Sequence, residues 1–325
     1  MKVRVLGTGR ALPARCVSSA ELDRDLGTGG LVASTGVATR YVCETESQVD
    51  LAVAAACAAL QDADMAAGDI DLIISGASVA YQPIPAMAPL IMDRLALADG
   101  TAAAFDVNST CLGFVTAFET AARMIAAGDA AAAIVVSSEV ASRALPWTNQ
   151  PEVAALFGDG AAAAVLRPAG DGAVKAVHMR SYPSAYSACG IGAGGTRFDF
   201  HNDPSAFSAH AQFAMNGKEL FRLTTQHFDG FVRDILAKAG WTHDDVDWVV
   251  PHQASPGALD HLVRQTGFSP DRVVRIVSEF GNQIAASIPF AFDIARRDGR
   301  ITPGDKVLLL GTSAGVSFGG AALVI

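Results

Sequence analysis

Three short segments carry the residues whose chemistry stands out: DVNSTCLGF with Cys111, VVPHQAS with His252 and EFGNQIAAS with Asn282. A cysteine at the start of a predicted helix faces unpaired backbone N–H groups and the positive end of the helix dipole, which favour thiolate over thiol. Such a sulfur can attack an acyl thioester and hold the acyl group as a new thioester. Pro251 interrupts simple extension of a strand, so His252 is released from the sheet and free to point into a pocket. Asn282 follows Gly281 at a strand-to-helix turn, and its amide donates a hydrogen bond without bringing negative charge, which suits a developing oxyanion. Each residue has a plainer role open to it. Cys111 could pack beside Leu112 and Phe114, His252 could be structural, and Asn282 could cap a helix. Together they point to thioester chemistry.

The glycine-rich tracts say less. GTGRAL at residues 7–12 lacks the third glycine of a dinucleotide fingerprint and the Gly-Lys-Ser/Thr ending of a nucleotide loop, and FGDGAAAAVL at residues 157–166 is too short in its glycine pattern to hold phosphate. GTSAGVSFGG at residues 311–320 follows a well-marked strand, where it reads either as a tight turn or as backbone that approaches a substrate carbonyl. His178, His201, His210, His227, His243 and His261 form no close metal-ligand pattern, so no metal is expected. Asp106, Asp159 and Glu279 suit hydrogen-bonded turns better than catalysis.

The elements that must position these groups repeat. A helical pattern over residues 50–67 precedes an apolar strand beginning at Ile70, and a helical pattern over 227–239 precedes a strand ending near Val250. Each is followed by a second unit, CLGFVTAFETAARMIAAGD with AAAIVVSSE in one half and NQIAASIPFAFDIARRDG with KVLLLGTS in the other. This order predicts an internal duplication into halves 1–170 and 171–325, joined at the Gly- and Pro-rich PAGDGAV. Near-continuous Val, Ile and Leu strands joined through helices predict an α/β fold with mostly parallel sheets covered on both faces. Ligands then bind at the C-terminal ends of the strands, in a crevice where Cys111, His252 and Asn282 could meet.

Composition narrows the classes. Half of the 325 residues are hydrophobic and 18% are charged, as in an ordinary globular protein. A net charge of -9 with only 24 Lys and Arg offers no surface for a nucleic-acid backbone. Five cysteines without a Cys-x-x-Cys pair fit neither a disulfide scaffold nor a zinc site, and a reducing cytoplasm is the natural setting. The start MKVRVLGTGRALPA reads as a strand and turn, not a signal peptide. The alanine-rich runs stop short of the roughly 20 apolar residues that span a bilayer.

Taken in order, DVNSTCLGF, FGDGAAAAVL, MNGKELF, PHQA, FGNQIAASIP and GTSAGVSFGG resemble the β-ketoacyl-acyl carrier protein synthase III family of thiolase-like condensing enzymes, and the likeness runs over nearly the whole chain. The resemblance implies a five-layered αβαβα fold, usually homodimeric, built from two duplicated halves. It implies Cys111 as the acylated nucleophile, with His252 and Asn282 assisting decarboxylation of a malonyl-type thioester. It also implies an acyl oxyanion hole from the backbone N–H of Cys111 and one near Ser317. Acyl carrier protein or coenzyme A thioesters would be substrates, with no tightly bound cofactor. Residues 81–92 are candidates for the acyl-tunnel lining. Two segments depart from the family pattern. Gly30 and Ser34 stand where the family commonly has a tryptophan and an arginine used against coenzyme A, and Ser255 and Gly257 alter the segment after His252. These departures point to a specialised member, as in secondary metabolism. Acyl transfer to an alcohol, amine or other small acceptor without condensation, and a non-catalytic partner subunit, are the other readings.

Overall fold

The computed structural model describes residues 1–170 and 172–325, so Asp171, at the expected junction of the halves, lies outside the described residues. The first sheet uses β1 (Val3–Ala11), β2 (Leu72–Ser75), β3 (Ala103–Asp106), β4 (Ala133–Glu139) and β5 (Gly160–Pro168), in the order β1-β5-β4-β2-β3. The second uses β6 (Val174–Ser181), β7 (Trp248–Pro251), β8 (Lys306–Ser313) and β9 (Ser317–Val324), in the order β6-β9-β8-β7. An isolated parallel bridge from Val249 to Val273 takes the place of β3 beside β7. The two sheets therefore share one strand order.

Strand direction differs from expectation. β2 runs parallel to β3 and β4, and β7 parallel to β8. However, β5 is antiparallel to both β1 and β4, and β9 is antiparallel to both β6 and β8. The sheets are mixed, not mostly parallel. The reason is local in the second half, where only residues 314–316 separate β8 from β9 and so short a link can join only antiparallel neighbours.

Helices make three layers around the two sheets. The outer helix α1 (Gln48–Asp62) begins at a capping box in which Ser47 Oγ accepts from Asp50 N and Asp50 Oδ2 accepts from Ser47 N, at 3.2 and 2.9 Å. It ends earlier than the periodicity suggested, because Asp64 adopts a left-handed φ of 52°. Its buried alanines 52, 55, 56 and 59 lie close on the first sheet. The approach requires glycine at position 9, where a Cβ would lie 2.3 Å from Ala59 N. On the opposite outer face, α3 (Gly217–Ala239) packs Phe231, Val232 and Ile235 on Leu308, Phe318 and Ala322.

Between the sheets lie α2 (Gly113–Ala127) and α5 (Ser287–Arg297), one from each half. Strand side chains alternate between layers as a period of two demands: Leu72 and Ile74 face α2 and α5, while Ile73 faces α1. Phe114, Phe118, Ile288, Phe290 and Phe292 fill the middle layer, each stabilising the fold by about 2 kcal/mol through burial. The result is the αβαβα thiolase-like fold. No helix among the described residues is long and apolar enough to cross a membrane.

Candidate active site

Cys111 sits in a single 3-10 turn, Thr110–Leu112, placed directly ahead of α2. The turn is set by Asn108, whose Oδ1 accepts from Thr110 N at 2.8 Å, and by Thr110 itself at φ 47°. Gly113 lets it press against the end of β2, since a Cβ there would meet Gly76 O at 2.4 Å. On the other side, Thr110 Oγ1 donates to Ala314 O at 3.3 Å, which ties the turn to the backbone after β8.

This setting corrects the expected ionisation. Burial first, then the nearby Cys189 and Glu139, push the Cys111 thiol up to about 12, against the smaller lowering from the N–H groups of Ala314 and Cys111. Loss of water around a thiolate outweighs the helix terminus, which contributes only about 0.3–2 kcal/mol. At neutral pH Cys111 is a thiol.

His252 follows β7. Its backbone N–H donates to Leu310 O at 2.8 Å, and its Nδ1 lies 2.6 Å from Ser287 Oγ, at the first residue of α5. Ser287 Oγ already accepts from Gln253 N at 3.2 Å. Nδ1 is the one acceptor paired with the Ser287 hydroxyl among the described residues, so the hydroxyl donates to Nδ1 and the ring proton is assigned to Nε2. Burial lowers the imidazole to about 4, which keeps it neutral at pH 7. A neutral ring with Nε2–H turned to the cavity is a hydrogen-bond donor.

Asn282 is fixed through its backbone, donating to Leu156 O at 2.8 Å and accepting from Gly158 N at 3.1 Å. Gly281 makes this docking possible, with φ 69° and a Cβ position 2.9 Å from Phe157 C. The side-chain Oδ1 accepts from Ile284 N at 2.8 Å, and Nδ2 has no protein partner among the described residues.

Cys111, His252 and Asn282 all line one cavity of about 1790 Å³. Gly311 on β8 sits between His252 and Leu112, the residue after Cys111: a Cβ there would lie 3.1 Å from both His252 Cβ and Leu112 Cδ2. Ser317 is not brought to the cavity. It begins β9, and its hydroxyl lies 2.8 Å from Ser181 Oγ across the strand pair. The backbone amide that lowers the Cys111 thiol is that of Ala314, in the turn that follows β8 and three residues before Ser317. The glycine-rich tract is thus both the tight β8–β9 turn and backbone that packs beside the Cys111 turn.

Other sequence candidates fall into place around it. Ser255 caps the helix α4 (Pro256–Thr266) by accepting from Ala258 N at 3.1 Å, and both Ser255 and Gly257 line the cavity. Tyr81 lines it with Gln82 and Pro83, whereas Gly30 and Ser34 do not. Asp106 accepts from Met87 N and Ala88 N at 2.8 Å, capping a short helix, and Asp159 holds Cys43 N and Ser142 N at 2.8 and 2.9 Å. Glu279 is exposed. Among the described residues, no three His, Cys, Asp or Glu side chains gather as metal ligands.

Sequence reasoning missed Ser287, Ala314, Cys189 and Glu139. The carboxyl of Glu139, at the end of β4, is 1% exposed and lines the same cavity. A lone charge ending the apolar run AIVVSSE was the available signal.

With this geometry, comparison with known proteins is specific. Residues 105–183 match the family described as 3-oxoacyl-[acyl-carrier-protein (ACP)] synthase III, and residues 236–325 match its C-terminal part. The chain is similar to a β-ketoacyl-[acyl-carrier-protein] synthase III of Rhizorhabdus wittichii, 39% identical over 98% of each chain. It is also similar to the crystal structure of the 3-oxoacyl-(acyl carrier protein) synthase III of Pseudomonas aeruginosa, with a TM-score of 0.89 and 32% identity over 100% of this chain and 98% of that one. The priming β-ketosynthase of a polyketide biosynthetic pathway superposes with a TM-score of 0.91 and 28% identity, covering 99% of this chain and 96% of that one. Fold and relatives agree, and the chain belongs to the 3-oxoacyl-[acyl-carrier-protein] synthase III family of condensing enzymes.

Proposed function

We propose that this protein joins an acyl group carried on Cys111 to a malonyl-type thioester by decarboxylative Claisen condensation. The observation that carries this reading is the pair of neutral donors, His252 Nε2 and Asn282 Nδ2, facing the cavity that also holds the Cys111 thiol. Neutral donors stabilise an enolate without pairing permanently to the carboxylate that must leave.

In the first step Cys111 sulfur attacks the acyl carbonyl, the incoming carbon–sulfur bond breaks, and the thiol proton goes to the departing thiolate. Because burial holds that thiol near 12, the proton leaves as the bond forms, not beforehand. The backbone N–H groups of Cys111 and Ala314 receive the tetrahedral oxyanion. In the second step the malonyl carbon–carboxylate bond breaks, carbon dioxide leaves, and the electron pair becomes an enolate held by His252 and Asn282. The enolate carbon attacks the Cys111 thioester, its carbon–sulfur bond breaks to release the β-ketoacyl product, and the Cys111 thiolate takes a proton from water. A homodimer acting on acyl carrier protein or coenzyme A thioesters, in the cytoplasm, completes the reading.

Intact-protein mass spectrometry after incubation with a panel of acyl carrier protein and coenzyme A thioesters tests the first step. Wild type gains one acyl mass and Cys111→Ala gains none. An adduct that persists in Cys111→Ala, or no adduct with any thioester, overturns it.

A further inference from the structure

Glu139, whose charge raises the Cys111 thiol but which takes no part in the steps proposed above, stands where the two halves meet. Its Oε1 accepts from Ser78 N at 2.6 Å, and its strand β4 packs directly against the Ile284–Ala286 turn. Ser78 and Val79 belong to the loop after β2 in the first half. Ala285 belongs to the turn Ile284–Ala286 in the second half, whose first N–H is already bound by Asn282 Oδ1. The Cys111 turn packs on the same element, since a Cβ at Gly113 would touch Ala285 Cβ at 3.4 Å.

We propose that Glu139 is a positioning residue for the condensation step, a carboxyl that ties the Ser78–Val79 loop to the Ile284–Ala286 turn and so fixes the direction of the Asn282 amide. The proposal rests on the condensation reading above. An amide displaced by 1 Å from a developing oxyanion loses most of its effect, so anchoring its turn matters to rate and not only to folding.

The charge state of the anchor follows from its surroundings. Burial pushes the carboxyl up to about 8, with the N–H groups of Ser78, Ala285 and Val79 lowering it less, so it is mostly a neutral acid at pH 7. A malonyl carboxylate can then enter the cavity without meeting a fixed negative charge. Glutamine reproduces that neutral form, with an acceptor oxygen for Ser78 N. Once Cys111 is acylated its thiol no longer titrates, and His252 is held near 4. Gln48, Ser78, Gly160 and Ala285, on the other elements against Glu139, carry no titrating group.

The test uses the full chain as wild type, Glu139→Ala and Glu139→Gln, measuring Cys111 acylation by mass spectrometry and condensation by carbon dioxide release from the acyl-loaded enzyme. Acylation stays within about threefold of wild type in both variants. Condensation falls at least tenfold in Glu139→Ala and returns to within about threefold in Glu139→Gln at pH 7. In wild type condensation declines as pH rises through about 8, and Glu139→Gln lacks this decline. The proposal is overturned if Glu139→Ala condenses at the wild-type rate, if both steps fall together, or if glutamine rescues no better than alanine. A wild type that acylates Cys111 but releases no carbon dioxide defeats the condensation reading itself, a different failure.

Discussion

Asn108 and Asn282 occupy the same place in the two halves. In each, Oδ1 accepts from the N–H two residues on at 2.8 Å, and that residue, Thr110 or Ile284, has a left-handed φ of 47° or 49°. Each turn then leads into a middle-layer helix. The halves differ in what remains: Asn108 Nδ2 donates to Ser78 O at 2.9 Å, while Asn282 Nδ2 is left without a protein partner. The two halves thus hold two copies of one turn, one carrying Cys111 and the other a free donor.

That asymmetry predicts different outcomes for one substitution. Asn282→Asp keeps the acceptor for Ile284 N but removes the donor, so condensation falls by about 10²–10³ with little change in melting temperature. Asn108→Asp removes the bond to Ser78 O and lowers stability by about 1 kcal/mol, with a smaller loss of turnover. Denaturant unfolding beside steady-state kinetics separates the two; similar kinetic losses in both would deny Asn282 a special role.

The Cys111 thiol, pushed up to about 12, makes its own prediction. Alkylation of Cys111 by iodoacetamide is slow at pH 7 and rises about tenfold per pH unit to at least pH 10, following the thiolate fraction. Mass spectrometry after timed quenching reads this, and a plateau by pH 8 would show that the helix terminus, not burial, sets the ionisation.

His252 links pH to stability. Its folded value of about 4 lies below the ordinary 6.5, so between these the unfolded chain binds more protons than the folded one. Stability from this group is complete above about 6.5 and is lost as pH falls through 4, amounting to about 3 kcal/mol. The difference between wild type and His252→Gln therefore shrinks or reverses toward pH 4, as urea unfolding at several pH values would reveal. A constant difference would contradict the burial argument.

Gly311→Ala places a methyl 3.1 Å from His252 Cβ and Leu112 Cδ2 and 3.3 Å from Ile288 Cδ1. Crowding of this kind costs about 1–3 kcal/mol and here pushes the His252 and Cys111 elements apart. Both acylation and condensation decline, and a variant with wild-type kinetics would mean glycine is unnecessary there.

The sequence carried the repeated order of helices and strands and the placement of Cys111, His252 and Asn282 at strand-to-helix junctions, because apolar periodicity and glycine breaks are local signals. Strand direction was not legible: an apolar run reads the same in a parallel or antiparallel pair, and only the three-residue turn between β8 and β9 hints at the truth. Ala314 lines the cavity and Ser317 does not because the hairpin register decides which residues of the turn face inward, and no local pattern reports it. The thiol's ionisation depends on burial by distant segments, including Cys189 and Glu139, that no local pattern reports. Ser287 escaped notice for the same reason, being a helix residue whose importance lies in the tautomer it imposes 35 positions away in sequence.

The most direct measurement of the central claim loads Cys111 with an acyl group, adds malonyl thioester labelled at the free carboxyl, and follows labelled carbon dioxide together with product mass. The account predicts one carbon dioxide for each β-ketoacyl product, in wild type but scarcely in Asn282→Asp. Acyl-loaded wild type that passes its acyl group to an alcohol, an amine or water with no labelled gas would contradict it.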